Sequence, residues 1–342
     1  MQKRRALWVV VPVLLIVTLF ALFACCCPGQ RVAPLTAPPP PPRAGFDVPV
    51  PVDVVPAKET DVQMQNVNFR VDTSTVLHIH ELRGQMFDKQ SGRPLNLDDK
   101  NSFTVRLFTA HIGTNAATLS SMLNAHVFRG SNVRDVTVSM HDGHLYPEGI
   151  IHKIIDIPFR MTADVSATRD GTMRIHPTRI EICNLNGAAL MKAFGITFAK
   201  VIGKLPSGVH VEGNDLVVDS LAIIPSPHIE GRLSAAQIEG DELTQDFDDG
   251  RGVAPLRPPD AAKNFMYFEH GTLRMGKLFM VSADMEVIDT DASDPFDFYL
   301  DRYNEQLVAG YNRNRANYGL TVYMRDLEDV GKPARPGEHL AP

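Results

Sequence analysis

The sequence predicts an α+β fold in which a long antiparallel sheet wraps one long apolar helix, behind an N-terminal transmembrane helix. Three observations predict it. An almost unbroken apolar run from Ala6 to Cys27 follows Lys3, Arg4 and Arg5. Several later segments alternate apolar and polar residues with period two, the mark of strands with one buried face. Residues 186–205 are apolar on nearly every side of a helix, which is the pattern of a helix buried on most sides.

A run of about 22 residues, rising 1.5 Å per residue, is long enough to cross a bilayer, and basic residues before it favour a cytoplasmic N-terminus. Three readings of the segment stand: a retained anchor, a cleaved secretory signal and a bacterial lipoprotein signal. A plain signal peptide has an apolar core of about 7–15 residues, shorter than this one. The tetrad Leu22-Phe23-Ala24-Cys25 is similar to a lipobox, in which Cys25 would become the acylated N-terminus, although Phe23 departs from that pattern. A retained helix and a lipidated Cys25 both tether the chain to a membrane. Pro12 lies near the start of the run, where a missing N–H costs least.

The 342 residues carry a formal charge of −6, and setting aside Lys3, Arg4 and Arg5 leaves 31 basic against 40 acidic residues, or −9. That balance gives no reason to expect nucleic acid as a partner. Three of the four cysteines are Cys25, Cys26 and Cys27, so Cys183 is alone in the folded part and no internal disulfide is available to it. Cys183 reads as a small buried apolar residue on a strand, with a reactive thiol as the alternative. Residues 28–60 form a proline-rich stalk that includes Pro38 to Pro42. Such a sequence favours polyproline II, and at about 3.1 Å per residue some 30 residues reach roughly 90 Å when fully extended.

A sheet-and-helix domain is expected over residues 61–247. Phe159, Met161, Ala163 and Val165 alternate with Arg160, Thr162, Asp164 and Ser166. The same period appears at Val136, Val138 and Met140, at Val67, Phe69 and Val71, at Phe103, Val105 and Leu107, and at Ile229, Gly231, Leu233 and Ala235. Hairpin turns are signalled by His141-Asp142-Gly143, Arg169-Asp170-Gly171 and Glu212-Gly213-Asn214-Asp215. A first helix from an N-cap at Thr114 to Phe128 places Leu119, Met122, Leu123 and Val127 on one stripe. The second, over residues 186–205, carries Leu190, Met191, Phe194, Ile196, Phe198, Val201 and Ile202. Its polar exception is a narrow stripe of Lys192, Lys200 and Lys204. Two readings of it stand, a core helix with a solvated lysine edge, or one side of an apolar groove whose lysines meet lipid phosphates.

Several stretches carry a family resemblance. Pro158-Phe159-Arg160-Met161-Thr162-Ala163-Asp164 is followed by Asp170-Gly171-Thr172-Met173-Arg174-Ile175, the long apolar segment and Leu205-Pro206-Ser207-Gly208-Val209. This order resembles the tubular lipid-binding (TULIP-like) proteins, in particular secreted phospholipid-binding members in actinobacteria, over about residues 67–247. Gly213-Asn214-Asp215-Leu216 and Ile229-Glu230-Gly231-Arg232 resemble more closely an uncharacterised family of bacterial membrane-tethered proteins. The resemblance implies a curved sheet around the helix, a lipid as ligand, no catalytic residue, and a place in the bacterial inner membrane with the C-terminal domain in the periplasm. Candidate lining residues are Phe159, Met161, Met191, Phe194, Ile196 and Phe198, with Lys192, Lys200 and Lys204 near head groups. The anchor, stalk and C-terminal extension depart from the TULIP-like plan.

A linker over residues 248–262 leads to a β-rich extension at 263–325, whose strands either extend the same sheet or form another. Asp294-Pro295 is expected to open a helix that runs to about Tyr311, with Asp294 as its cap. The tail at 326–342 reads as disordered. For metal chemistry the best pair is His78 and His80, with Asp88 or His111 as additions, but no CxxC or HExxH arrangement occurs and a lone i, i+2 pair reads first as surface or packing. Asp289, Asp291, Asp294 and Asp297 cluster without the glycine and terminal glutamate of a calcium loop. No nucleophile elbow or glycine-rich phosphate loop is present. The expected function is binding or transfer of lipid in an apolar groove, with no cofactor and no catalysis; the alternative is a structural or scaffolding protein of the cell envelope.

Overall fold

The computed structural model describes residues 59–152, 155–183, 185–186, 205–260 and 262–333. The apolar run at 6–27, the stalk up to residue 58 and the long-helix segment at 187–204 lie outside the described residues. Those described belong to one compact unit.

The chain opens the larger of two sheets with β1 (Thr60–Arg70), β2 (Val76–Asp88), β3 (Leu95–Asn96) and β4 (Phe103–Asn115). It then leaves through α1 (Ala116–Met122) and a π turn (Leu123–Val127) to build the smaller sheet. The strands there are β5 (Val133–His141), β6 (His144–His152), β7 (Asp156–Ala167), β8 (Met173–Ile182), β9 (Leu185–Asn186), β10 (Val209–Glu212) and β11 (Asp215–Val218). On its return, β12 (His228–Glu230) and β14 (Glu242–Asp248) occupy successive stretches of one edge of β4, and β13 (Leu233–Glu239) pairs with β14. The smaller sheet is therefore an insertion between neighbours of the larger one.

The last third of the chain completes the larger sheet. Strand β15 (Phe265–Met275) pairs with the first half of β1 and with β16 (Leu278–Asp289), and β17 (Phe296–Tyr299) pairs with the second half of β1. After α2 (Tyr303–Ala309), β18 (Tyr311–Asn314) and β19 (Leu320–Met324) close the edge beyond β16. Residues 263–325 thus extend the same sheet. Turn chemistry places the hairpins: between β5 and β6, Asp142 and Gly143 both adopt positive φ (52° and 76°), the conformation that an Asp-Gly pair tolerates best.

The α+β expectation is corrected. Among the described residues strands dominate, the two α-helices are seven residues each, and none is a long apolar helix. None is long and apolar enough to cross a membrane. Apolar strand faces are covered by other strands: β13 of the larger sheet packs on β7 and β5, and buried side chains of both sheets belong to one cluster. Period-two patterning recurs along so many strands that sheet packed on sheet accounts for the core.

Two further expectations change. Where a helix was predicted from Asp294, residues 296–299 form a strand, and helix α2 starts only at Tyr303. Phe296 and Phe298 are fully buried while Asp297 and Tyr299 are partly exposed, so the period-two pattern overrides the Asp-Pro start signal. Phe298 stacks on Phe69 of β1 at 5.7 Å between ring centroids. Cys183, expected buried on a strand, is exposed and sits in a turn with φ of 51° just past β8.

Candidate functional site

On one face of the smaller sheet the strands leave an apolar trough. Among the described residues it is lined by thirteen side chains, all apolar, drawn from the π turn and Phe128 just after it, β5, β6, β7, β8 and β11. The key cross-strand pairs are Phe159 with Ile182 and Met161 with Ile180, flanked by Ile175, Val136 and Leu216. Its interior cavity is about 80 Å³. One water needs at least about 10–15 Å³ by this measure, so the trough has room for roughly five to eight water-sized groups. That suits a single chain of several methylenes better than a bulky ring or a whole two-chain lipid.

Two β-bulges create this face. In β8 the inward side passes from Met173, Ile175 and Pro177 to Ile180 and Ile182, an odd-to-even change possible only because Thr178 is an extra residue opposite β7. In β5 the same change occurs between Val133 and Val136, around Asp135 at φ 52°. Asn124 of the π turn holds that second bulge: its side-chain amide donates to the Val136 carbonyl at 2.7 Å, and its Oδ1 accepts from the Val136 N–H at 2.9 Å. Both backbone groups of the displaced residue are thereby satisfied. Gly149 lets the strands close up beside the trough, because a Cβ there would stand 3.0 Å from the Phe159 ring and 3.2 Å from Val136. The opposite face of the same strands is polar, with Arg160 donating to Glu148 at 3.2 Å.

No family model, curated protein or solved structure matches the chain.

Of the residues singled out from sequence, Phe159 and Met161 line the trough. Met191, Lys192, Phe194, Ile196, Phe198, Lys200, Lys204 and Cys25 lie outside the described residues. Sequence reasoning missed Ile180, Ile182 and Gly149. The signal for the two isoleucines was present in the parity break across Pro177-Thr178-Arg179, which a strict period-two reading discards.

A second constellation stands on the polar side of the larger sheet. His78 and His80 on β2 face one carboxylate, Glu242 on β14: His78 Nδ1 lies 3.2 Å from Oε1, and His80 Nε2 lies 3.2 Å from Oε2. His111 of β4 stacks beside His80 at 4.8 Å between centroids and holds Asp246 at 2.6 Å. Burial first, then the neighbouring His78, pushes His80 below its ordinary pKa, against the pull of Glu242. Asp88, the other suggested addition, instead accepts from the Gln90 N–H.

The expected aspartate cluster is only partly assembled. Asp289 and Asp294 meet Asp326 from the end of the chain, while Asp297 pairs with Arg70 at 2.9 Å. Asn264 bridges the group, donating to Asp289 at 3.1 Å and to the Asp291 carbonyl at 3.2 Å. Burial pushes the Asp289 carboxyl up to about 7 and that of Asp326 up to about 8, with neighbouring carboxylates adding to both. Both carboxyls are thereby shifted toward the protonated form.

Proposed function

We propose that this protein is a membrane-tethered, extracytoplasmic lipid-binding protein that holds one acyl chain in the trough of its smaller sheet. The observation that carries the reading is that every lining side chain among the described residues is apolar, on a face shaped by two bulges. Burial of a chain is worth about 0.8 kcal/mol per methylene, so several methylenes contribute several kcal/mol toward the cost of association. The role is passive binding or transfer, and the recognised chemistry is apolar length. The composition of the N-terminal run Ala6 to Cys27, apolar and ending in three cysteines, supports a membrane tether.

The test is mass spectrometry of lipids that co-purify with the full chain after exhaustive detergent exchange. A stoichiometric acyl-chain species supports the reading. A lipid-free protein that also takes up no labelled fatty acid from vesicles overturns it and favours a structural role in the envelope.

A further inference from the structure

We propose that His78, His80 and Glu242 form a binding site for one divalent transition-metal ion of the zinc class. The three donors converge from parts of the chain more than 160 residues apart, and their ligand atoms all lie within 4.8 Å of one another. Zinc bonds to imidazole nitrogen and carboxylate oxygen are about 2.0–2.2 Å, which puts tetrahedrally arranged donors roughly 3.3–3.5 Å apart. The two N···O separations of 3.2 Å are close to that edge length. Two imidazoles and a carboxylate suit zinc, copper or nickel and leave a coordination position open.

The fold brings the donors together by two local departures from a regular sheet. Inward residues on β2 change from Leu77 and Ile79 to Leu82 and Met86, so the strand carries an extra outward residue where its register with β4 shifts between Ile79 and Glu81. His80 sits in this bulge and turns toward the same point as His78, with ring centroids 4.1 Å apart. Between β2 and β14 lies Gly113 of β4, paired with His78 on one side and Thr244 on the other. The Glu242 carboxylate lies directly over it: a Cβ at 113 would be 2.2 Å from Cδ and 2.4 Å from both carboxylate oxygens. Any side chain at 113 would displace the carboxylate from the histidines. His78, His80 and Glu242 keep 26, 33 and 20 % of their side-chain surface exposed, so an ion can enter from solvent.

The experiment is titration of the full chain with Zn2+ by calorimetry, with thiols alkylated beforehand so that the cysteines do not compete. The wild type is expected to bind one equivalent that is absent from His80→Ala and Glu242→Gln, each losing on the order of a hundredfold or more in affinity. Gly113→Ala, which removes no ligand, is expected to lose the same equivalent, and His210→Ala, remote from the site, to keep it. Far-UV circular dichroism establishes that each variant is folded, and a Zn2+-dependent rise in Tm should be seen in the wild type and in His210→Ala alone. Absence of saturable Zn2+ binding in the wild type, or an unchanged equivalent in folded His80→Ala, would overturn the proposal and leave two imidazole–carboxylate hydrogen bonds in its place.

Discussion

The two sheets bury their apolar residues to different degrees. In the larger sheet Phe103, Phe268, Phe296, Phe298 and Met285 are at most 1 % exposed, packed on all sides by neighbouring strands and by Tyr303 of α2. In the smaller sheet Phe159, Met161, Ile180 and Ile182 face the same way, yet each stays partly exposed. The larger sheet puts most of its apolar surface into its own core, although Phe279 and Val281 of β16 stay exposed; the smaller keeps a partly exposed strip beside a cavity that a ligand could cover. The difference teaches that apolar patterning alone does not separate core from binding surface. What separates them is whether another element already fills the facing space.

Truncations should expose that contrast. Phe296→Ala is expected to cost about 3–5 kcal/mol, as large-to-small changes in a filled core do, and urea unfolding followed by circular dichroism measures it. Ile180→Ala in the trough is expected to cost less, about 1–2 kcal/mol, because the side chain is already partly exposed before truncation. Equal losses at both positions would mean that the trough is ordinary core.

A further effect concerns pH and arises at two carboxyls beside the larger sheet. Asp289 and Asp326 carry folded-state pKa values raised to about 7 and about 8, whereas an unfolded aspartate titrates near 3.8. Between those limits the folded chain binds more protons than the unfolded one. Their contribution is therefore complete below about pH 4 and is lost as pH rises through 7 to 8. Tm should fall between pH 5 and pH 8.5, and Asp326→Asn should flatten that slope. A slope unchanged in Asp326→Asn would remove this carboxyl from the account.

The strands and their turns were legible because alternation and Asp-Gly or Gly-Asn pairs act over a few residues. Val67 and Phe69, Val136 and Val138, and Phe159 and Met161 all lie on observed strands. The bulges at Asp135 and Thr178 were not legible, because each breaks the parity by which a strand is recognised. Both candidate sites depend on such breaks. The pair His78 and His80 was visible in the sequence, but Glu242 comes from a hairpin that returns to β4 only after the whole smaller sheet has been laid down. No local spacing encodes that meeting. The Asp-Pro signal at 294 misled because burial of Phe296 and Phe298 against β1 outweighs a helix start.

The most direct test of the trough is titration of the full chain with a fluorescent single-chain fatty acid, wild type beside Met161→Glu. A carboxylate at 161 would enter the apolar lining next to Ile180 without removing a fully buried core residue. The expected result is saturable binding of one chain per protein in the wild type and its loss in a folded Met161→Glu. Equal binding by the two proteins, or none by the wild type, would contradict an acyl-chain site on the smaller sheet.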